Sequence, residues 1–293
     1  SPGGKAGYRP DRATLVYCNL IRQAYPGVPL VIGGVEASLR RLAHYDYWSD
    51  KVRRSILLDS RADLLIYGMG EKNLLAVAQR LQQGEDISAI HDLPGTCYVT
   101  GEPPEEARKL PACEEVSSNN KSFARATRMM LEENNPWSAK PLAQKHFDRW
   151  VVQNPPPQPL WSGDLDAYYA LPFQRRAHPS YDNKGGIPAL EPVQFSLVSH
   201  RGCFGGCAFC ALGLHQGKTI QSRSVDSLVA EARSFIRHPD FKGTIPDVGG
   251  PSANMYGMRA LDEELCKACR RTSCLFPRSC KNLNSDHSPS VML

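Results

Sequence analysis

No stretch of this sequence approaches the ~20 consecutive apolar residues needed to cross a bilayer. There is no internal repeat, no low-complexity tract and no visible secretory signal within the 293 residues, so neither a repeat solenoid nor a small disulfide-framed secreted domain is expected. Charge of one sign is also scarce: 35 basic and 30 acidic residues leave a net charge of +5. The basic pairs Arg40-Arg41, Arg53-Arg54, Arg175-Arg176 and Arg270-Arg271 are dispersed, which gives no concentrated footprint for nucleic acid and reads as solvated surface. What remains is ordinary globular composition, 41% hydrophobic and 22% charged, with room for two domains.

The sequence is rich in cysteine, and the ten are unevenly placed. Seven fall in two tight groups, residues 203–210 and 266–280, while Cys18, Cys97 and Cys113 stand alone and read as buried or inert thiols. Grouping of this kind in a long chain points to metal rather than disulfides. Thiolate ligands must be reduced, so a reducing, cytoplasmic compartment is expected.

Alternating helical and strand signals run along the N-terminal half. Asp11 stands at an N-cap position before a helix whose apolar residues Ala13, Val16, Tyr17, Leu20 and Ala24 repeat until Pro26. Short strands at Pro29–Ile32 and Leu64–Tyr67 each end in glycines, a helix opened by Glu71 runs to Gly84, and Thr96–Val99 reads as a third strand. The alternation predicts an α/β domain with an open parallel sheet. In such a sheet Gly33-Gly34-Val35-Glu36 and Gly68-Met69-Gly70-Glu71 lie at strand ends where a cofactor or partner can sit, although no complete G-x-G-x-x-G fingerprint is present. Residues 44–61, with Tyr45, Tyr47 and Trp48, read as a partner-contacting loop or an irregular connection. Residues 101–120 read as a polar connector, followed by a helix near Phe123–Leu131.

The proline run at 153–159 removes amide donors and restricts its neighbours, which places a boundary there. The expected organisation is an N-terminal α/β domain over 1–152, a Pro-rich linker and extended segment over 153–190, and a second domain over 191–293. That domain opens with a strand at Phe195–Val198, which delivers Cys203-Phe-Gly-Gly-Cys207-Ala-Phe-Cys210. Gly202, Gly205 and Gly206 allow positive φ in a loop that must wrap a ligand. Ser224 caps a helix bearing Val225, Leu228, Val229, Ala232, Phe235 and Ile236, and a strand at Thr244–Val248 ends in Gly249-Gly250. Strand, ligand loop, helix, strand and glycine loop make a βαβ unit, with the loop where barrel enzymes keep their chemistry.

Three thiolates leave one position open, whereas structural zinc takes four ligands. The loop therefore suits an iron–sulfur cluster with one iron available to another ligand. The zinc alternative would recruit His200 or His215 as a fourth ligand; both otherwise read as supporting or surface residues. The second group, Cys266, Cys269, Cys274 and Cys280, suffices by itself for a zinc site or an additional cluster, with Arg270, Arg271 and Arg278 offsetting thiolate charge.

The C-x3-C-x2-C loop with Phe209 before the last cysteine resembles the signature of the radical S-adenosylmethionine (SAM) superfamily. More closely, residues 199–210, Leu214-His-Gln-Gly217, Ser222-Arg-Ser224, 247–257 and Val31-Ile-Gly-Gly-Val-Glu-Ala-Ser-Leu-Arg40 resemble the YgiQ-type, UPF0313-like radical SAM family over nearly the whole chain. The resemblance implies a [4Fe-4S] cluster on Cys203, Cys207 and Cys210, SAM chelated at the fourth iron, and reductive cleavage of SAM to a radical that abstracts hydrogen from an unknown substrate. It places Phe209 near the adenine and Gly249 and Gly250 at the SAM amino group, with Pro251 where many superfamily members carry an acid. It implies an electron donor as partner and names no catalytic side chain. The N-terminal sheet resembles a cobalamin-binding-type domain, without the Asp-x-His-x-x-Gly motif that would hold cobalamin. Too few residues follow Cys210 for a whole radical SAM barrel, so the second domain is expected to be a partial (β/α) barrel in a piece of a longer enzyme. The rival readings are a non-catalytic zinc-binding protein and an iron–sulfur electron carrier.

Overall fold

The structure is a computed structural model and describes residues 1–250 and 253–292. Helix α1 (Ala13–Ala24) starts one residue later than Asp11 suggests; Arg12 is its N-cap and no side chain caps it. It packs through Cys18 and Leu15, while Val16, Tyr17 and Leu20 of the expected apolar stripe are exposed. Strand β1 (Val31–Ile32) leads into α2 (Gly34–Leu39). The aromatic stretch then forms a hairpin, β2 (His44–Asp46) with β3 (Lys51–Arg53), whose tip exposes Tyr47 and Trp48. Helix α3 (Ile56–Ser60) precedes β4 (Leu64–Ile66), and α4 (Glu71–Gln82) follows it, ending at Gly84 in the left-handed region.

Next come β5 (Thr96–Thr100), β6 (Arg108–Lys109), α5 (Cys113–Ser118), α6 (Asn120–Glu132), β7 (Leu142–His146) and β8 (Arg149–Gln153). Six of these strands make one sheet in the order β1-β4-β5-β8-β7-β6. It is mixed. The β1–β4 and β6–β7 ladders are parallel, as alternation leads one to expect, but β4–β5, β5–β8 and β7–β8 are antiparallel. For β7–β8 the reason is local: Phe147, with φ of +57°, and Asp148 turn the chain straight back from one strand into the other. The polar connector thus contains β6 and α5.

Period-two alternation fills both faces of the sheet. Leu65, Tyr67, Cys97, Leu142 and Val151 point into one core with α1, α2 and α3. Leu64, Ile66, Tyr98, Ala143 and Val152 point into the other, against Val77 of α4 and Ile90. The three lone cysteines are all buried in this half.

The proline run carries no regular structure but is pinned. Asn154 Nδ2 donates to the carbonyls of His91 and Leu93 at 2.7 and 3.0 Å, and Gly95 N–H donates to the Pro155 carbonyl at 2.6 Å. The segment after it includes an unanticipated helix, α7 (Ser162–Tyr169), whose Asp166 accepts a hydrogen bond from Ser224 N–H at 3.0 Å.

The remaining chain has only short elements: β9 (Leu197–Val198), β10 (His200–Arg201), α8 (Leu212–His215), β11 (Gln221–Ser222), α9 (Val225–Phe235), β12 (Val248–Gly249), β13 (Arg259–Ala260), α10 (Glu263–Lys267), β14 (Leu283–Asn284) and α11 (Ser288–Val291). Ser224 caps α9 through Ser227 N–H as its sequence suggests. β9 and β12 pair in parallel across α9 as a βαβ unit, but β12 keeps only Val248 of the strand expected at Thr244–Val248 and takes in Gly249, because Pro246 lacks the amide to extend a ladder. Its core is Phe195, Leu197, Leu228, Phe235 and Tyr256, with Phe195 and Phe235 rings 5.4 Å apart. Val225 and Val229 of α9, and Ile236 at its C-cap, remain exposed. No described helix is long and apolar enough to cross a membrane.

Candidate functional site

Two ladders aim the cysteine loop. Leu197 N–H donates to Asp247 carbonyl at 2.8 Å and Ser199 N–H to Gly249 carbonyl at 2.7 Å, so β9 is fixed to β12. Two residues later the chain switches partner, and Arg201 lies opposite Gln221 of antiparallel β11. The strand and α9 are clamped together by Arg223, a buried guanidinium that donates to Val198 carbonyl at 3.2 Å and pairs with Glu231. Burying that charge is tolerable because the pair and the carbonyls satisfy it.

Gly202 then turns the chain at φ +90°; an ideal Cβ there would lie 2.1 Å from Thr219 carbonyl oxygen. Only glycine fits. The mouth of the loop is closed by Cys203 N–H to Gly217 carbonyl at 3.1 Å and Gly202 N–H to Gln216 Oε1 at 2.9 Å.

Within the loop, Cys203 is buried beside Phe204 and Met255, Cys207 is exposed, and Cys210 is half-buried. Cys203 and Cys207 are brought together around Gly205, whose ideal Cβ would lie 3.4 and 3.6 Å from their sulfurs. Gly205 does not take the positive φ expected of it; Gly206 does, at +63°. Cys210 closes a turn by donating its N–H to Cys207 carbonyl at 3.0 Å. All three thiols are free. Among the described residues no three cysteine, histidine or carboxylate side chains already stand at metal-ligating separation. The donor set nevertheless fits a cluster: three unpaired thiols on one tight turn, two flanking a single glycine, with no fourth cysteine in the loop.

Gly249 and Gly250 lie beside the loop's entrance. An ideal Cβ on Gly250 would overlap the His200 imidazole at 2.1 Å, so this glycine makes room for His200. His200 is fully buried, with Nδ1 3.0 Å from Ser199 Oγ, and burial lowers its pKa. Phe209 is 94% exposed at the loop's outer edge. Pro251 lies outside the described residues.

The glycine-bearing ends of β1 and β4 meet a partner within the chain itself. His215 Nδ1 of α8 lies 2.9 Å from Ser38 Oγ, which also accepts from Gly68 N–H at 3.0 Å. Arg201 pairs with Glu71 at 2.7 Å, where Glu71 opens α4. His215 therefore holds α8 to α2 of the N-terminal half. A cleft lined by Tyr67, Met69, Pro157, Leu214 and Gln216 runs along this joint.

Cys266, Cys269, Cys274 and Cys280 are half-buried, and Cys274 joins Cys203, Phe204 and Met255 in one apolar cluster. Sequence reading missed the residues that tie this segment down. Ser273 Oγ donates to Gly205 carbonyl at 2.7 Å, and Asn135 and Lys218 reach the cysteine turns from elsewhere in the chain. Single polar residues distant in sequence carry no periodic signal.

A family model described as Radical SAM N-terminal matches residues 1–196, which stops just short of the cysteine loop. Curated relatives extend over the whole chain. UPF0313 protein CLJ_B0249 of Clostridium botulinum is 51% identical over 295 residues, covering 100% of this chain and 46% of its own length. UPF0313 protein GSU2873 of Geobacter sulfurreducens is 51% identical, covering 97% of this chain and 47% of its own length. A UPF0313 protein of Methanocella arvoryzae is 49% identical, covering 100% and 49%. The chain thus spans about half the length of the curated relatives it matches.

Proposed function

The chain belongs to the UPF0313-type radical SAM family, and from that premise we propose that it is the part of a radical SAM enzyme that binds a [4Fe-4S] cluster through Cys203, Cys207 and Cys210. The observation that carries this reading is three free cysteines on a glycine turn, set at the end of a parallel β9–β12 pair and beside Gly249-Gly250. When bound, cluster and SAM together supply one-electron reductive cleavage of SAM, with the reductant and substrate coming from outside this chain.

The chain's own residues position and shield. Gly202 and Gly206 hold the loop in a shape that side chains would forbid, and Phe204 and Met255 keep water from Cys203. Arg223 fixes the strand that delivers the loop. Gly249, whose side-chain space holds nothing closer than Asp247 at 3.9 Å, leaves room for a ligand to approach the β12 end, Gly250 gives its space to His200, and Phe209, exposed at the rim, is free to stack on an adenine. In this reading residues 191–293 are part of a (β/α) barrel, residues 1–152 an accessory α/β domain, and 153–190 the connection that packs between them.

The test is chemical. The full-length protein, reconstituted anaerobically with iron and sulfide and then reduced, should release 5′-deoxyadenosine from SAM. A well-folded protein that binds no iron overturns the reading. Stoichiometric zinc at the loop would support the zinc-binding alternative, and a reducible cluster indifferent to SAM would support an electron carrier.

A further inference from the structure

The second cysteine group is not used by the function above, yet the chain invests several buried contacts in it. Both ends of the segment are fixed to each other: Ala260 pairs with Leu283 across β13 and β14, and Leu261 N–H donates to Asn282 carbonyl at 2.8 Å. Between them the cysteines lie on two turns. Cys269 N–H donates to Cys266 carbonyl at 3.1 Å, and Cys280 N–H to Cys274 carbonyl at 2.7 Å.

The first turn is shaped by a buried side chain from the N-terminal half. Asn135 Nδ2 lies 2.9, 3.2 and 2.8 Å from the carbonyls of Cys266, Lys267 and Cys269, while its Oδ1 accepts from Trp137 N–H at 3.1 Å. Two further donors point at sulfur. Lys218 Nζ is 3.6 Å from Cys269 Sγ and also donates to Arg271 carbonyl at 2.7 Å. Asn282 Nδ2 is 3.5 Å from Cys266 Sγ and donates to Asp262 carbonyl at 2.7 Å. Outer-shell donors of this type orient metal-bound ligands and tune their charge, and an ammonium favours thiolate over thiol.

We propose that Cys266, Cys269, Cys274 and Cys280 bind one zinc ion as a closed four-thiolate site, separate from the cluster loop. Four sulfur donors complete a tetrahedral shell and leave no position for substrate, which is the pattern of structural zinc. The thiols would converge and lose their protons as the ion binds, so that binding energy becomes folding energy for a segment with little core of its own. The consequence falls on the neighbouring loop. Cys274 N–H donates to Phe204 carbonyl at 3.0 Å, Ser273 Oγ to Gly205 carbonyl at 2.7 Å, and Gly206 leaves its side-chain space to Thr272 and Ser273. Zinc would therefore lock the 272–274 segment against the wall of the Cys203–Cys210 loop.

This inference does not rest on the cluster reading, and one experiment separates them. The full-length protein carrying Cys203→Ala, Cys207→Ala and Cys210→Ala is purified anaerobically, its metals are counted, and its thiols are mapped by alkylation and peptide mass spectrometry. One zinc per chain is expected, with Cys266, Cys269, Cys274 and Cys280 protected from alkylation until a strong chelator is added. Cobalt in place of zinc should give the intense thiolate bands of a tetrahedral four-sulfur site. Adding Cys269→Ser should lower zinc affinity by at least about tenfold, and Lys218→Met by about tenfold. If the Cys269→Ser protein does not fold, the alkylation pattern with and without chelator decides alone. Free alkylation of all four thiols, a zinc affinity unchanged by Cys269→Ser, or iron instead of zinc in the loop variant would overturn the proposal.

Discussion

The two halves of this molecule use cysteine in opposite ways. In the N-terminal half a six-stranded sheet is covered on both faces, and its three cysteines are packed as small apolar groups. Burial pushes the Cys97 thiol up to about 12 and the Cys113 thiol up to about 11, so neither offers a thiolate. In the C-terminal half the strands are two residues long, the apolar clusters are small, and of seven cysteines only Cys203 is fully buried. Burial raises the pKa of Cys266 and Cys274 in the second half as well, so the difference between the halves is access: these thiols stand on partly exposed turns that an ion can reach, whereas Cys97 and Cys113 lie inside a core. The contrast also explains why the second half is held by single polar tethers such as Arg223, Ser273 and Asn135, since its described ladders are only two residues long.

Each half can be broken without the other. The largest effect is expected from Cys207→Ala in the reconstituted protein: loop iron should fall to background while the far-ultraviolet circular dichroism is unchanged, and retained loop iron would refute the ligand assignment. The mirror experiment is Leu142→Ala, at a fully buried position of the sheet. Urea unfolding should show the N-terminal half destabilised by ~2–5 kcal/mol, with iron content unaltered.

Acid offers a milder division. His146 is buried in the N-terminal half and burial lowers its pKa from 6.5 to about 4. The unfolded chain takes up this proton near pH 6.5 and the folded chain only near pH 4, so stability should drop as pH falls through that window. The loss should be on the order of 3 kcal/mol, and His146→Gln should lessen the slope of the urea-midpoint profile there without abolishing it, since burial lowers the pKa of His44, His200 and His215 as well. The smallest effect belongs to Ser224→Ala, which removes the α9 cap and should cost about 1 kcal/mol, read as faster hydrogen exchange at the first turn of α9.

Much of this was legible in the residues, for identifiable reasons. Glycines after short apolar runs marked β1 and β4, and Ser224 marked α9, whereas the strand expected at Thr244–Val248 shrinks to Val248–Gly249. The helices α1, α4 and α9 announced themselves by apolar period, yet the period did not say which side packs: Val16, Tyr17, Leu20, Leu74, Leu75 and Ile236 are exposed. Polarity hid α5, and α7 buries only Leu165, too little to make a stripe. The β7–β8 hairpin has no signature in the residues: Phe147-Asp148 is none of the Gly- or Asn-bearing dipeptides that mark a tight hairpin, and neither Leu142–His146 nor Arg149–Gln153 alternates cleanly. The β10–β11 ladder, two residues closed across the whole cysteine loop, has no local signature. At the candidate site, spacing marked the three cysteines as candidate ligands, and the family resemblance marked Gly249 and Gly250. That His200 would occupy the space left by Gly250, and that His215 would dock on Ser38, depended on tertiary packing.

The central claim is that Cys203, Cys207 and Cys210 leave one iron of a cluster open to SAM. Electron paramagnetic resonance of the reduced, reconstituted full-length protein, recorded with and without SAM, tests it most directly. The account predicts a reduced-cluster spectrum whose g-values shift when SAM is added and a spectrum absent in Cys207→Ala. A spectrum unchanged by SAM, or one that persists in Cys207→Ala, would contradict it.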